Sequence, residues 1–161
     1  INYLRGNSMQ SDLIANQAAQ TGILAGALGI LTGSVWAKHT WLAWWVADPK
    51  LNGAAVTMLI YVAYFILRGS IDEEQKRARI SAVYNIFAYV MLIVFLMILP
   101  RMTDSLHPGN GGNPGFGGYD LDNNMKMVFY PAVLGWILLF TWIFTLKVRF
   151  EKLNRKKLFN E

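Results

Sequence analysis

Between Trp36 and Leu51 the chain reads WAKHTWLAWWVADPKL, which gathers four of the six tryptophans, one of the two histidines and an Asp-Pro step. With Thr40 to Ala47 helical, Trp41, Trp44, Trp45 and Asp48 fall at i, i+3, i+4 and i+7, so three indoles and a carboxylate share one face. A flat aromatic shelf with an acid at its edge suits a large, flat, amphiphilic ligand. Tryptophan also collects at membrane interfaces with no ligand at all, so both readings stand at this point. Asp48 has a plainer role as well: before Pro49 it reads as a helix N-cap worth about 1 kcal/mol.

An imidazole beside such a shelf fits haem better than other cofactors, because haem iron takes axial histidine and porphyrin faces stack on indoles. Two histidines are available. His39 lies inside the tryptophan segment but off the face of Trp41, Trp44, Trp45 and Asp48, and His107 follows Ser105 in a loop, where a solvated histidine is the plain alternative. No serine–histidine–aspartate arrangement of recognisable spacing and no HExxH motif is present. The absence of cysteine excludes disulfides, thiolate metal sites and thiol catalysis on this chain.

The elements that must position these residues are membrane spans. Of 161 residues 54% are hydrophobic and only 16% charged, where a soluble domain carries about a quarter. The expected fold is an all-α integral membrane protein with four transmembrane helices, at about residues 13–37, 51–67, 80–99 and 128–146. Gly22, Gly26, Gly29 and Gly33 form a seam in the first span that predicts a closely packed partner helix, and Pro100 is expected to stop the third span. Residues 100–126, rich in Gly, Pro and Asn, read as a long aqueous loop, because such backbone has no hydrogen-bond partners in lipid.

Counting Lys and Arg orients the bundle. One side carries Arg5, Arg68, Lys76, Arg77, Arg79, Lys147, Arg149, Lys152, Arg155, Lys156 and Lys157; the other carries only Lys38, Lys50, Arg101 and Lys126. The positive-inside rule makes the richer side cytoplasmic, so the tryptophan segment and both histidines face outward. The net charge of +5 therefore reads as orienting charge beside apolar runs, with anionic lipid headgroups as a partner for the basic tail 147–161, and not as a nucleic-acid surface.

The stretch GSVWAKHTWLAWWVADPKL resembles the tryptophan-rich WWD segment of the haem-handling proteins of cytochrome c biogenesis, nearest the CcmC type, haem exporter protein C of System I. The likeness extends to the acidic-then-basic inner loop Asp72 to Arg79, the outer S-L-H-P-G at Ser105 to Gly109, and Tyr130-Pro131 at the last span. Leu42 stands where the family has glycine, and Ala47 where it has a tryptophan before the aspartate. The resemblance implies haem b held at the periplasmic face of the bacterial inner membrane. Trp36, Trp41, Trp44, Trp45 and Asp48 would lie against the porphyrin, with His107 as one axial ligand and no family role for His39. It further implies two spans and a second histidine that lie upstream of Ile1 or on another chain, and no catalytic residue. The implied partners are a periplasmic haem chaperone, ABC transporter subunits and a small membrane subunit. Two rival readings are a System II-like haem lyase and a purely structural membrane subunit.

Overall fold

The structure, a computed structural model, describes residues 1–106 and 122–158. Among the described residues there are helices and no strand. A short helix α1 (Asn2–Gly6) precedes α2 (Met9–Trp41), capped by Ser8, and α3 (Pro49–Gly69), capped by Asp48 with proline in its first turn. Helix α4 (Glu74–Ile93) runs through a π-helical turn, Val94–Ile98, into α5 (Leu99–Met102), and α6 spans Asn123–Leu158. Four helical stretches among the described residues are long and apolar enough to cross a membrane: Met9–Trp41, Pro49–Gly69, Glu74–Met102 and Asn123–Lys157. The chain is an all-α integral membrane protein.

The packing is that of helices in lipid. Large apolar side chains such as Leu59, Ile66, Leu138 and Trp142 point outward. Between the helices lie small or weakly polar residues, including Ala19, Gly53, Thr57, Ala78, Ser81 and Ala88. Lipid tails are as apolar as leucine, so close backbone approach, rather than burial of large side chains, drives association there. Helix α3 is central, packing on α2, α4 and the π-helical turn, while α6 lies against α2.

Polar pins fix one end of the bundle. Arg68 at the end of α3 meets Asp12 of α2 through two hydrogen bonds of 2.7 and 2.6 Å, with both side chains largely buried. Tyr3 donates to the Gln75 carbonyl at 3.1 Å, and Arg155 of α6 reaches Glu74 at 2.9 Å. The opposite end is the one that carries the tryptophan segment and Ser105.

Pro100 does not stop the third span; the helix continues to Met102. A proline ring collides with the carbonyl four residues back and offers no N–H, and a π-helical turn just before it relieves both problems by widening the helix. In that turn the Leu99 N–H bonds to Val94, five residues back, which leaves the Phe95 carbonyl without its usual helical donor. This carbonyl lies against Gly53 of α3, where a β-carbon would sit 2.5 Å from the oxygen. Gly53→Ala therefore forces two backbones apart. The expected overpacking cost is about 1–3 kcal/mol, against which alanine's helix propensity returns up to about 1 kcal/mol. A lowered thermal midpoint in detergent is the check; an unchanged midpoint would mean the turn yields freely.

Two further expectations are corrected. The glycine seam meets a neighbour only at Gly26, beside Met58 of α3, whereas Gly22, Gly29 and Gly33 have open space next to them. The expected loop 100–126 is helical at both edges, since α5 reaches Met102 and α6 begins at Asn123, with Asp122 accepting the Met125 N–H at 2.7 Å. The basic tail continues α6 as helix to Leu158, because Lys, Arg and Glu are good helix formers and carry the pattern past the apolar run.

Candidate functional site

The tryptophan segment is not a continuous helix. Helix α2 ends at Trp41, Leu42 turns left-handed at φ 61°, and Ala43 to Asp48 are irregular until Pro49 starts α3. The expected single face of Trp41, Trp44, Trp45 and Asp48 is thus replaced by three separate arrangements. The physical reason is the turn: α2 and α3 are antiparallel neighbours, and the chain must reverse within the residues that the i, i+3, i+4 spacing assigned to a helix.

Trp36 and Trp41, both on α2, pack edge to face with ring centroids 4.9 Å apart. Trp44 and Trp45 belong to the irregular segment and remain 60% and 40% exposed, so their indole faces are open at this end of the bundle. Trp45 is steadied through its Nε1–H, which donates to Asn52 Oδ1 of α3 at 3.2 Å. His39 is exposed in the last turn of α2, at the same end. His107 lies outside the described residues.

Leu42 adopts a backbone conformation that suits glycine better than leucine. An L-residue in the left-handed region carries a strain of about 1–2 kcal/mol, glycine carries none, and a helix C-terminus commonly uses that conformation. Lys38 supports the turn by donating from Nζ to the Leu42 carbonyl at 3.1 Å. Leu42 is 81% exposed, so its side chain contributes little packing. Leu42→Gly is expected to raise stability by roughly 0.5–1 kcal/mol, after the extra backbone entropy of glycine is subtracted. A thermal midpoint that falls in this variant would refute the strain argument.

Asp48 is drawn inward instead of lining the exposed surface, and it is only 2% exposed. Its carboxylate accepts the Lys50 N–H at 2.9 Å, which is the cap of α3. It also accepts the Ser105 hydroxyl, at 2.9 and 2.7 Å from its two oxygens, and the Leu106 N–H at 2.7 Å. Burial works against the charged form here. The hydrogen bonds from Ser105 and from the backbone of Leu106, Lys50 and Leu51 outweigh it and hold the carboxyl below its ordinary value of 3.8. A carboxyl depressed in this way contributes stability above its unfolded pKa and loses it as the pH falls, so the tie is intact at neutral pH and opens only in acid below 3.8.

Ser105 and Asn52 are the partners that the sequence did not reveal as such. Ser105 is legible only as part of S-L-H-P-G, and its bond to Asp48 crosses 57 positions of chain. Asn52 meets Trp45 only because the intervening residues are irregular. Among the described residues no group of three His, Cys, Asp or Glu side chains is placed to hold a metal ion. A cavity of about 740 Å³ lies between α2, α3 and α4, but none of residues 36–51 lines it. The chemistry available at the tryptophan end is therefore that of an open aromatic surface, able to hold the face of a flat conjugated molecule whose polar edge stays in water.

A model of the family described as Heme exporter protein C, CcmC, matches residues 3–160. The Heme exporter protein C of Paracoccus denitrificans is 26% identical over 150 residues, covering 91% of this chain and 60% of that protein. That of Bradyrhizobium diazoefficiens is 25% identical over 146 residues, covering 91% of this chain and 55% of its own length. A cytochrome c biogenesis protein CcsA of Prochlorococcus marinus is 34% identical over 89 residues, 55% of this chain and 28% of that protein. The chain thus spans little more than half the length of the first two relatives and under a third of the last.

Proposed function

Because the chain belongs to the Heme exporter protein C family, we propose that it is a haem-handling membrane subunit of cytochrome c biogenesis. It holds haem b as cargo at the outer face of the bacterial inner membrane and presents it to a periplasmic haem chaperone. The observation that carries this reading is the pair of exposed indoles, Trp44 and Trp45, on an irregular segment at the end of the bundle that is poorer in Lys and Arg. Lone interfacial tryptophans in a belt need no such segment, and Asn52 would have no reason to fix the tilt of one of them.

In this reading the faces of Trp44 and Trp45 hold the porphyrin, and His107 supplies an axial nitrogen to the iron. Bound haem offers an iron that takes axial imidazole and a wide apolar face. The chain's own residues bind and orient it and leave its outer edge free for the acceptor. No residue is assigned a catalytic role. Partner subunits of the ABC-transporter kind, and a small membrane subunit, would dock elsewhere on the bundle.

The test is the absorption spectrum of detergent-purified chain loaded with haem. A Soret band is expected, weakened and shifted by His107→Ala; a spectrum and haem content unchanged in that variant would remove the ligand assignment. A second reading is a System II-like haem lyase that attaches haem directly to apocytochrome thiols; the identity shared with a cytochrome c biogenesis protein CcsA supports a biogenesis role in either case. Formation of covalent cytochrome by this chain with no chaperone present would favour it.

A further inference from the structure

The Asp48 carboxylate is used far beyond the needs of a helix cap. Capping α3 takes the backbone N–H groups of Lys50 and Leu51. The carboxylate also reaches across the bundle to Ser105 and Leu106, the chain that emerges from the third span after Met102. Charge-assisted bonds of this length are shorter and stronger than neutral ones, and this group is shielded from water. Ser105 is buried while Leu106 is 66% exposed, so the grip falls where the chain passes from the packed interior to the surface. The next residue in the sequence is His107.

We infer that Asp48 is a positioning residue: by gripping Ser105 and the Leu106 amide, it fixes the backbone immediately before His107 relative to the segment that carries Trp44 and Trp45. The inference rests on the haem-holding reading given above. One carboxylate thereby sets the start of α3, the end of the tryptophan segment and the place of Ser105 and Leu106, and the irregular segment and those two residues cannot drift apart independently. The acid of the motif works on the cargo only through the backbone it holds.

Asparagine and aspartate are comparable N-caps, so Asp48→Asn spares the start of α3 while removing the charge and one accepting oxygen. Ser105→Ala breaks the same tie from the far side without touching any cap. In haem-loaded protein recovered as a single folded species, both variants are expected to move the Soret band toward that of His107→Ala. Haem dissociation should be faster by about tenfold, and added imidazole should restore the parent band. The double variant should be no worse than either single one. A second readout needs no haem: the chain has no cysteine, so a nitroxide on Leu106→Cys reports this position alone. Its mobility is expected to rise when Asp48→Asn or Ser105→Ala is added, and an unchanged line shape would overturn the inference even if a variant loaded haem poorly. A parent-like band in both variants, with His107→Ala altered, would overturn the positioning role and leave the axial ligand standing. An unaltered band in His107→Ala would remove the ligand and the inference together.

Discussion

Asp12→Ala is expected to cost about 3–5 kcal/mol of stability, enough to leave little folded protein at 37 °C. The Asp12 and Arg68 side chains are only 4% and 11% exposed and are joined by two hydrogen bonds between α2 and α3. Removing the acid leaves a largely buried guanidinium without its carboxylate, and the penalty of that uncompensated charge, rather than the lost attraction, dominates. Each partner also suits its own helix, with Asp12 in the first turn of α2 and Arg68 in the last turn of α3, where the helix dipoles favour those signs. Replacing both together, Asp12→Leu with Arg68→Met, is therefore expected to recover most of the loss. Thermal unfolding in detergent measures it; equal damage from the single and double replacements would show that the pair is not the source.

Trp44→Ala and Trp45→Ala made together are expected to weaken haem retention by roughly 5- to 100-fold, taking about 0.5–1.5 kcal/mol for each indole face. Stability should change little, because both rings are exposed and the segment holding them is anchored by Asp48. That combination separates a binding surface from a membrane belt, since loss of a belt shifts insertion or stability and leaves retention per folded molecule unaltered. Trp142→Ala, on the exposed face of α6, is the control and should change neither. Haem retention equal to the parent in the double variant, measured by transfer to apomyoglobin, would leave the open indoles without the proposed role.

How much of this was legible beforehand depends on the range of the interaction concerned. The four apolar runs were legible because a hydrocarbon slab imposes its thickness on any sequence that crosses it. The cap at Asp48 and the proline after it were legible because capping is settled within three residues. The continuous aromatic face was not, since periodicity assumes that the helix persists, and the need to reverse direction between α2 and α3 broke it at Leu42. Pro100 misled for a related reason. Its local penalty is real, but a π-helical turn absorbs it at a position where Gly53 leaves room for the displaced carbonyl.

The sequence by itself determined the class of the protein, its spans, the sign asymmetry of its two ends and the residue types gathered near Asp48, all consequences of composition and short-range chemistry. Tertiary structure alone decided which of those residues meet. Trp36 turns to Trp41, Trp45 to Asn52, and Asp48 away from the surface to Ser105 and Leu106. A carboxylate has several lone pairs and one short-range use for them as a cap; where the others go depends on which chain segment the packing of α3 against the third span brings within about 3 Å, and no spacing along the sequence encodes that.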